Sequence, residues 1–296
     1  MIRDNWSRWG GGLNCRSASP RVESCIIRDN RVVDSALWTV GSEGGGARCY
    51  DSAPSFLGCD FIGNSVYCEG TSATARGGGL YVHRGDRTRL IRCVFKGNTV
   101  DADAMYGDIS LGAGVSIWQA SAAIEACLFV DNIAGLTDNE WGTDISEGAA
   151  IHSERDWSVE VAVENSTIVG NIATFGGAGG LSLGEGSWAR NCVIWGNSNE
   201  QLAPESAATY SIVEGGWPGV GNTDQDPRFR SLGSFEHVLG PGSPGVDAGD
   251  PALEDAVSDW HPRWPGRYPD GPRSDMGAYG GPCNGAWFGF GSWDCD

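Results

Sequence analysis

The sequence predicts an all-β fold: a parallel β-helix (solenoid) in which each repeat forms one coil, with an irregular C-terminal cap. Three observations carry this. A Cys-x-Phe-x-x-Asn unit returns as "CDFIGN" at 59–64, "CVFKGN" at 93–98 and "CLFVDN" at 127–132, at intervals of 34 residues. A glycine-rich unit ending in an apolar residue recurs between these in fixed order. The apolar runs are short, alternate with period two and are bounded by Gly and Asn, which marks strands and not an amphipathic helix.

Each marker has a physical reason. The first unit ends at Asn5, Asn30, Asn64, Asn98, Asn132, Asn171 and Asn197. Stacked coils lie about 4.8 Å apart, so an amide at the same turn of every coil can bond to those above and below. Ile27, Phe61, Phe95, Phe129, Ile168 and Ile194 precede these turns, with Cys25, Cys59, Cys93, Cys127, Ser166 and Cys192 two residues earlier. Such side chains fill an interior of constant cross-section. The second unit reads "GGGL" at 10–13 and 77–80, "GGGA" at 44–47, "GAGV" at 112–115, "GAAI" at 148–151 and "AGGL" at 178–181. Glycine belongs where the backbone turns tightly or takes positive φ. Six or seven coils of two or three strands therefore occupy 1–200. Terminal coils and a cap follow over 201–282, with "YSIVEGG" at 210–216 as a late strand, and a Cys-bracketed aromatic tail over 283–296. The segment "WHPRWPGRYPDGP" cannot continue a sheet, because proline lacks the ladder donor, and it is expected to wrap over the last coil.

The chain has 296 residues, of which 46 are glycine, and 38 acids against 20 bases give a net charge of −18. Phosphate surfaces are poor partners for such a chain, so nucleic acid is excluded. No apolar run approaches the length of a membrane span, so no membrane insertion is expected. The cysteines and the single lysine, Lys96, favour an extracellular or cell-surface setting. "IRDN" at 2–5 repeats "IRDN" at 27–30, so residue 1 falls inside a repeat. The chain is read as part of a longer one, or as a monomer.

The Phe-x-x-Asn and glycine markers over residues 1–200 resemble the repeats of chlamydial polymorphic outer-membrane proteins. Further on, "GNTDQDPRF" at 221–229, "SPGVDAGDP" at 243–251 and "SDMGAYGGP" at 274–282 look like the end of bacterial secreted choice-of-anchor proteins. The resemblance implies a right-handed β-helix at or outside the cell surface, and no particular reaction.

The cysteine ladder is read as core filling and not as a metal or redox stack: Ser166 takes one rung and no Cys-x-x-Cys occurs. Cys15 and Cys49 form a second ladder after the glycine marker, and Cys68 is placed in a loop. Cys283 and Cys295 bracket a short Gly- and Trp-rich tail, where a disulfide is expected.

Alternation after the glycine marker assigns an outward file of Arg48, Tyr81, Ser116, His152 and Ser182, and a second of Arg16, Tyr50, His83, Trp118 and Glu154. Arg48, Tyr50, Tyr81 and Trp118 are the candidate ligand-binding residues, since aromatic faces stack on sugars and polar neighbours bond hydroxyls. The alternative is an ordinary exposed sheet, where Tyr and Trp are favoured anyway. Asp101, Asp103, Asp108, Asp138, Glu140 and Asp144 fall in long stretches read as loops and are candidates for Ca²⁺, a cation that takes oxygen ligands; solvated acids are the bland alternative. The best catalytic constellation is His83, His152 and Glu154, able to serve as acid, base or lyase base. No phosphate loop, zinc motif or nucleophile elbow is present. The preferred reading is a non-enzymatic adhesin, binding or structural scaffold that engages a polysaccharide or cell-surface glycan. The alternative is a polysaccharide lyase or glycoside hydrolase working on the same sheet.

Overall fold

The computed structural model describes residues 1–36, 38–137, 144–154, 159–257 and 271–288. They form a parallel β-solenoid of about five turns. A complete coil carries five strands, not two or three. In the third coil these are Asp60–Ile62, Ser65–Gly70, Ser72–Arg76, Leu80–His83 and Thr88–Ile91. Equivalent strands of successive coils pair in parallel to give five sheets, labelled A to E in that order, of eight, six, four, six and seven strands. Register follows the sequence markers: Phe61 pairs with Ile27 and Phe95, and Phe95 with Phe129.

Sheets B and C were hidden in the sequence because their inward residues are small. Val66, Cys68, Ala73 and Ala75 in one coil, and Val100, Ala102 and Ala104 in the next, form a narrow apolar strip of their own. Cys68 thus lies in a strand, buried, and not in a loop. Sheets A, D and E enclose the wider core, where Phe61, Phe95 and Phe129 stack with centroids 4.7 and 4.9 Å apart and planes within 7°.

Between the two lobes runs the asparagine ladder. From Asn5 to Asn171 each Nδ2 donates to Oδ1 of the asparagine in the following coil, over 2.8 to 3.0 Å. The second Nδ2 proton goes to a sheet A carbonyl, as from Asn98 to Phe61 O at 2.9 Å. Across the interior the glycine marker meets this ladder. A Cβ on Gly46 would sit 3.0 Å from Asn64 Cγ, and one on Gly79 would sit 2.9 Å from a Phe95 ring carbon. The two recurring motifs are therefore two sides of one narrow waist, where glycine fits in most coils and Ala150 takes the same rung in one.

The described part of the C-terminal segment straps the flank of the coils. A hairpin of Phe229–Leu232 and Phe235–Leu239 leads into it. Val238, Ala278, Tyr279 and Trp287 then cover Leu57 and Ile91 of sheet E and Leu128 and Val130 of sheet A. Asn165 Nδ2 donates to Asp275 O at 2.9 Å, and Ala278 N to Thr167 Oγ1 at 3.0 Å. Lys96 pairs with Glu236 at 2.6 Å. Trp217, packed against the main core, shields its C-terminal end and donates from Nε1 to Ser206 O at 3.2 Å. Most of the proline-rich segment, 258–270, lies outside the described residues. No helix among the described residues is long and apolar enough to cross a membrane.

Candidate functional site

Sheet D carries both outward files, but they meet different surroundings. The first glycine of each marker, Gly44, Gly77, Gly112 and Gly148, takes φ between 55° and 71°. This left-handed turn folds sheets C and D into a concave corner. The last residues of the sheet C strands, Glu43, Arg76, Leu111 and Glu147, form a file facing the first outward file of sheet D. Arg48 Nε pairs with Glu43 at 2.9 Å, and Ser182 Oγ donates to Glu147 Oε1 at 2.9 Å. Tyr81 is fully buried in this corner. Burial first, then the Glu43 carboxylate, pushes its phenol pKa well up. Sequence alternation places Tyr81 facing solvent; in the structure it is enclosed in the corner and offers no surface to a ligand. The signal was present one residue before each glycine, where Glu43 stands as the partner of Arg48 and Arg76 ends the adjoining sheet C strand.

The second file stays accessible. Tyr50, His83 and Trp118 pair across three coils. Tyr50 and His83 meet edge to face at 4.5 Å, and His83 stacks on Trp118 at 5.5 Å and 16°. Guanidinium groups interleave with them. Arg76 lies 4.2 Å from the Trp118 centroid, Arg48 and Arg16 lie 4.9 and 5.6 Å from that of Tyr50, and Arg84 reaches the Tyr50 hydroxyl at 3.3 Å. Ring faces are thus engaged by each other and by cations, and the donors interleaved with the rings are guanidinium groups. Burial, then the Arg84 charge, lowers the His83 pKa below the ordinary imidazole value.

His152 and Glu154 lie one coil further on. With Arg76, Ser116 and Trp118 they line a cavity of about 30 Å³. That space suits a single water and not a sugar ring. His83 faces Trp118, whereas His152 pairs in register with Ser116 in the covered file, so the catalytic trio is divided between two surroundings.

The acidic stretch 101–108 is strand and tight turn, not a long loop. Asp101 is buried in sheet B, where Oδ1 accepts from Leu136 N and Thr137 N at 2.8 and 2.9 Å, and Oδ2 from Thr137 Oγ1 at 2.7 Å. It clamps the next coil. Asp103 accepts from the Tyr67 hydroxyl at 3.1 Å, and Asp108 is buried at the start of a sheet C strand. Asp144 just precedes Ile145–Glu147, while Asp138 and Glu140 lie outside the described residues. Among the described residues no three His, Cys, Asp or Glu side chains converge as a metal would require.

The cysteine ladder behaves as core. Cys59, Cys93, Cys127 and Cys192 are free and buried, each thiol 3.3 to 3.4 Å from a sheet E carbonyl. Ser166 continues the file, donating to Glu164 O at 2.8 Å. Burial above all raises the Cys59 and Cys192 thiols to about 12. Cys15, half-exposed beside Cys49, is lowered to about 7, chiefly by its hydrogen bond with that thiol. Because the thiolate is the nucleophile, iodoacetamide at mildly alkaline pH is expected to label Cys15 well before Cys59 or Cys192. Peptide mapping that found equal rates would contradict the buried ladder. Cys283 is disulfide-bonded; Cys295 lies outside the described residues.

No family model, no curated protein and no solved structure matches this chain. The repeat register and the parallel pairing of its sheets identify it as a β-solenoid repeat protein.

Proposed function

We propose that the chain is an extracellular or cell-surface scaffold, without catalysis of its own, that holds an extended acidic polysaccharide along sheet D. The observation that supports this is the Tyr50–His83–Trp118 stripe with Arg16, Arg48, Arg76 and Arg84 set among its rings. Guanidinium groups only donate hydrogen bonds, so the matching ligand supplies acceptors, as uronate or sulfate groups do. The rungs are held about 4.8 Å apart by the sheet, close to the length of one sugar residue. A surface setting draws on the resemblance of the repeats and C-terminal motifs to the polymorphic outer-membrane and choice-of-anchor proteins. Calcium enters only as a bridge between the polymer and nearby carboxylates.

Calorimetry against polygalacturonate and dextran, with and without Ca²⁺, tests the reading. Polygalacturonate alone is expected to bind, more weakly as salt rises. Trp118→Ala and Arg84→Ala are each expected to cost about 1–2 kcal/mol, roughly tenfold or more in affinity. Equal affinity in both variants and the parent would remove the stripe from the account. Release of shortened product that stops in Glu154→Gln or His152→Ala would establish an enzyme instead.

A further inference from the structure

We propose a second ligand site at the corner between sheets B and C, one that takes a neutral glycan by stacking. The corner carries three highly exposed large side chains among the described residues: Trp38 at 78%, Tyr106 at 69% and Met105 at 60%. They belong to alternate coils. Thr71 N donates to Trp38 O at 3.1 Å, and Tyr106 N donates to Thr71 O at 3.0 Å. The backbones of Trp38, Thr71 and Tyr106 therefore stand one above another, those of Trp38 and Tyr106 two coil spacings apart, or about 10 Å.

Between them the third coil is cut back. Gly70 occupies its corner, and a groove of about 450 Å³ opens beside it, lined by Ser35, Ala36, Glu69, Gly70, Thr71 and Met105, with Trp38 and Tyr106 adjoining it and not among its lining. That volume lies in the range of small-ligand sites. The notch is built in: a Cβ on Gly70 would meet Trp38 O at 2.5 Å, so no side chain can fill it without moving the neighbouring coil.

The chemistry of the corner differs from that of sheet D in two ways. First, the rings are free: among the described residues neither Trp38 nor Tyr106 meets another ring or a guanidinium, whereas Trp118 is engaged by His83 and Arg76. Free aromatic faces suit the C–H face of a pyranose. Second, no base lines the groove among the described residues. Glu69 is exposed on its rim, and Asp103 lies in register beside it on the next strand. An anionic polymer is repelled there, while sugar hydroxyls can donate to both carboxylates. Two free platforms two coils apart, with acceptors between them, fit two residues of an uncharged, extended sugar chain.

This site is independent of the sheet D reading, and its test keeps the two apart. Calorimetric titration with cellohexaose and xylohexaose would use the whole chain and the variants Trp38→Ala, Tyr106→Ala, Trp38→Ala/Tyr106→Ala and Trp118→Ala. The mutated side chains at this corner are exposed, and the circular dichroism of each variant confirms its fold. At least one oligosaccharide is expected to bind the parent. Each single corner variant is expected to lose about threefold to tenfold in affinity, the scale of one aromatic contact, and the double variant all of it. Trp118→Ala is expected to bind as the parent does. The proposal is overturned if neither oligosaccharide binds, if the double variant binds as well as the parent, or if Trp118→Ala abolishes binding. Concentration-dependent self-association lost in Trp38→Ala would equally overturn it, by assigning the exposed rings to a second copy of the chain.

Discussion

Asn98→Ala is expected to destabilise the protein by about 4 kcal/mol, since each buried polar group left unpaired costs roughly 1–3 kcal/mol. The Asn98 side chain accepts from Asn64 N and Nδ2, both at 3.0 Å, and donates to Phe61 O and Asn132 Oδ1, both at 2.9 Å. Alanine strands the Asn64 donors and the Phe61 carbonyl in a site where neither Asn64 nor Asn98 is exposed at all. The ladder's first rung supplies the control. Asn5 is exposed, so water replaces what Asn5→Ala removes, and the loss there is expected to stay within about 1 kcal/mol. Denaturant midpoints would read the difference. Because stacked repeats share stability mainly with their neighbours, hydrogen exchange is expected to speed up most in the coils holding Asn64 and Asn132. Equal midpoints for Asn5→Ala and Asn98→Ala would show the ladder to be incidental to stability.

Phe95→Ala is expected to cost about 3–5 kcal/mol, the range for emptying a buried aromatic site. Phe95 lies between Phe61 and Phe129, with ring planes within 7° of both. The backbone around it is held on every side: sheet A pairs above and below, and the glycine waist presses from across the core. Relaxation into the hole is therefore restricted, which places the cost toward the upper end. Phe95→Ile is expected to cost much less, because Ile27 and Ile168 fill the same rung elsewhere in the ladder. A melting temperature for Phe95→Ala indistinguishable from that of the parent would contradict a filled, rigid interior.

Much of the body was legible in the sequence because a solenoid is nearly one-dimensional. Each coil must reproduce the cross-section of the last, so the order of Asn, Phe, Cys and Gly along the chain is also their stacking order in space. The Asn ladder, the Phe stack and the pairing of Tyr50 with His83 and of His83 with Trp118 all follow from the repeat interval. What the interval cannot express is how a coil bends between markers. The number of sides depended on alanine-lined strands that carry no alternating large residues, such as Ser72–Arg76. Whether an outward residue meets water depended on the turn at Gly44, Gly77 and Gly112, which closes Glu43 and Arg76 over the file containing Tyr81. The same limit hid the role of Asp101, whose partners lie 35 and 36 residues away in the next coil. The C-terminal strap was beyond reach for another reason. It is aperiodic, and it reaches the outer faces of Leu57 and Ile91 across far more sequence than one coil. Local alternation marks those residues only as outward-facing; that they are covered is a property of the tertiary structure, set by where a later, non-repeating segment finds apolar surface to bury.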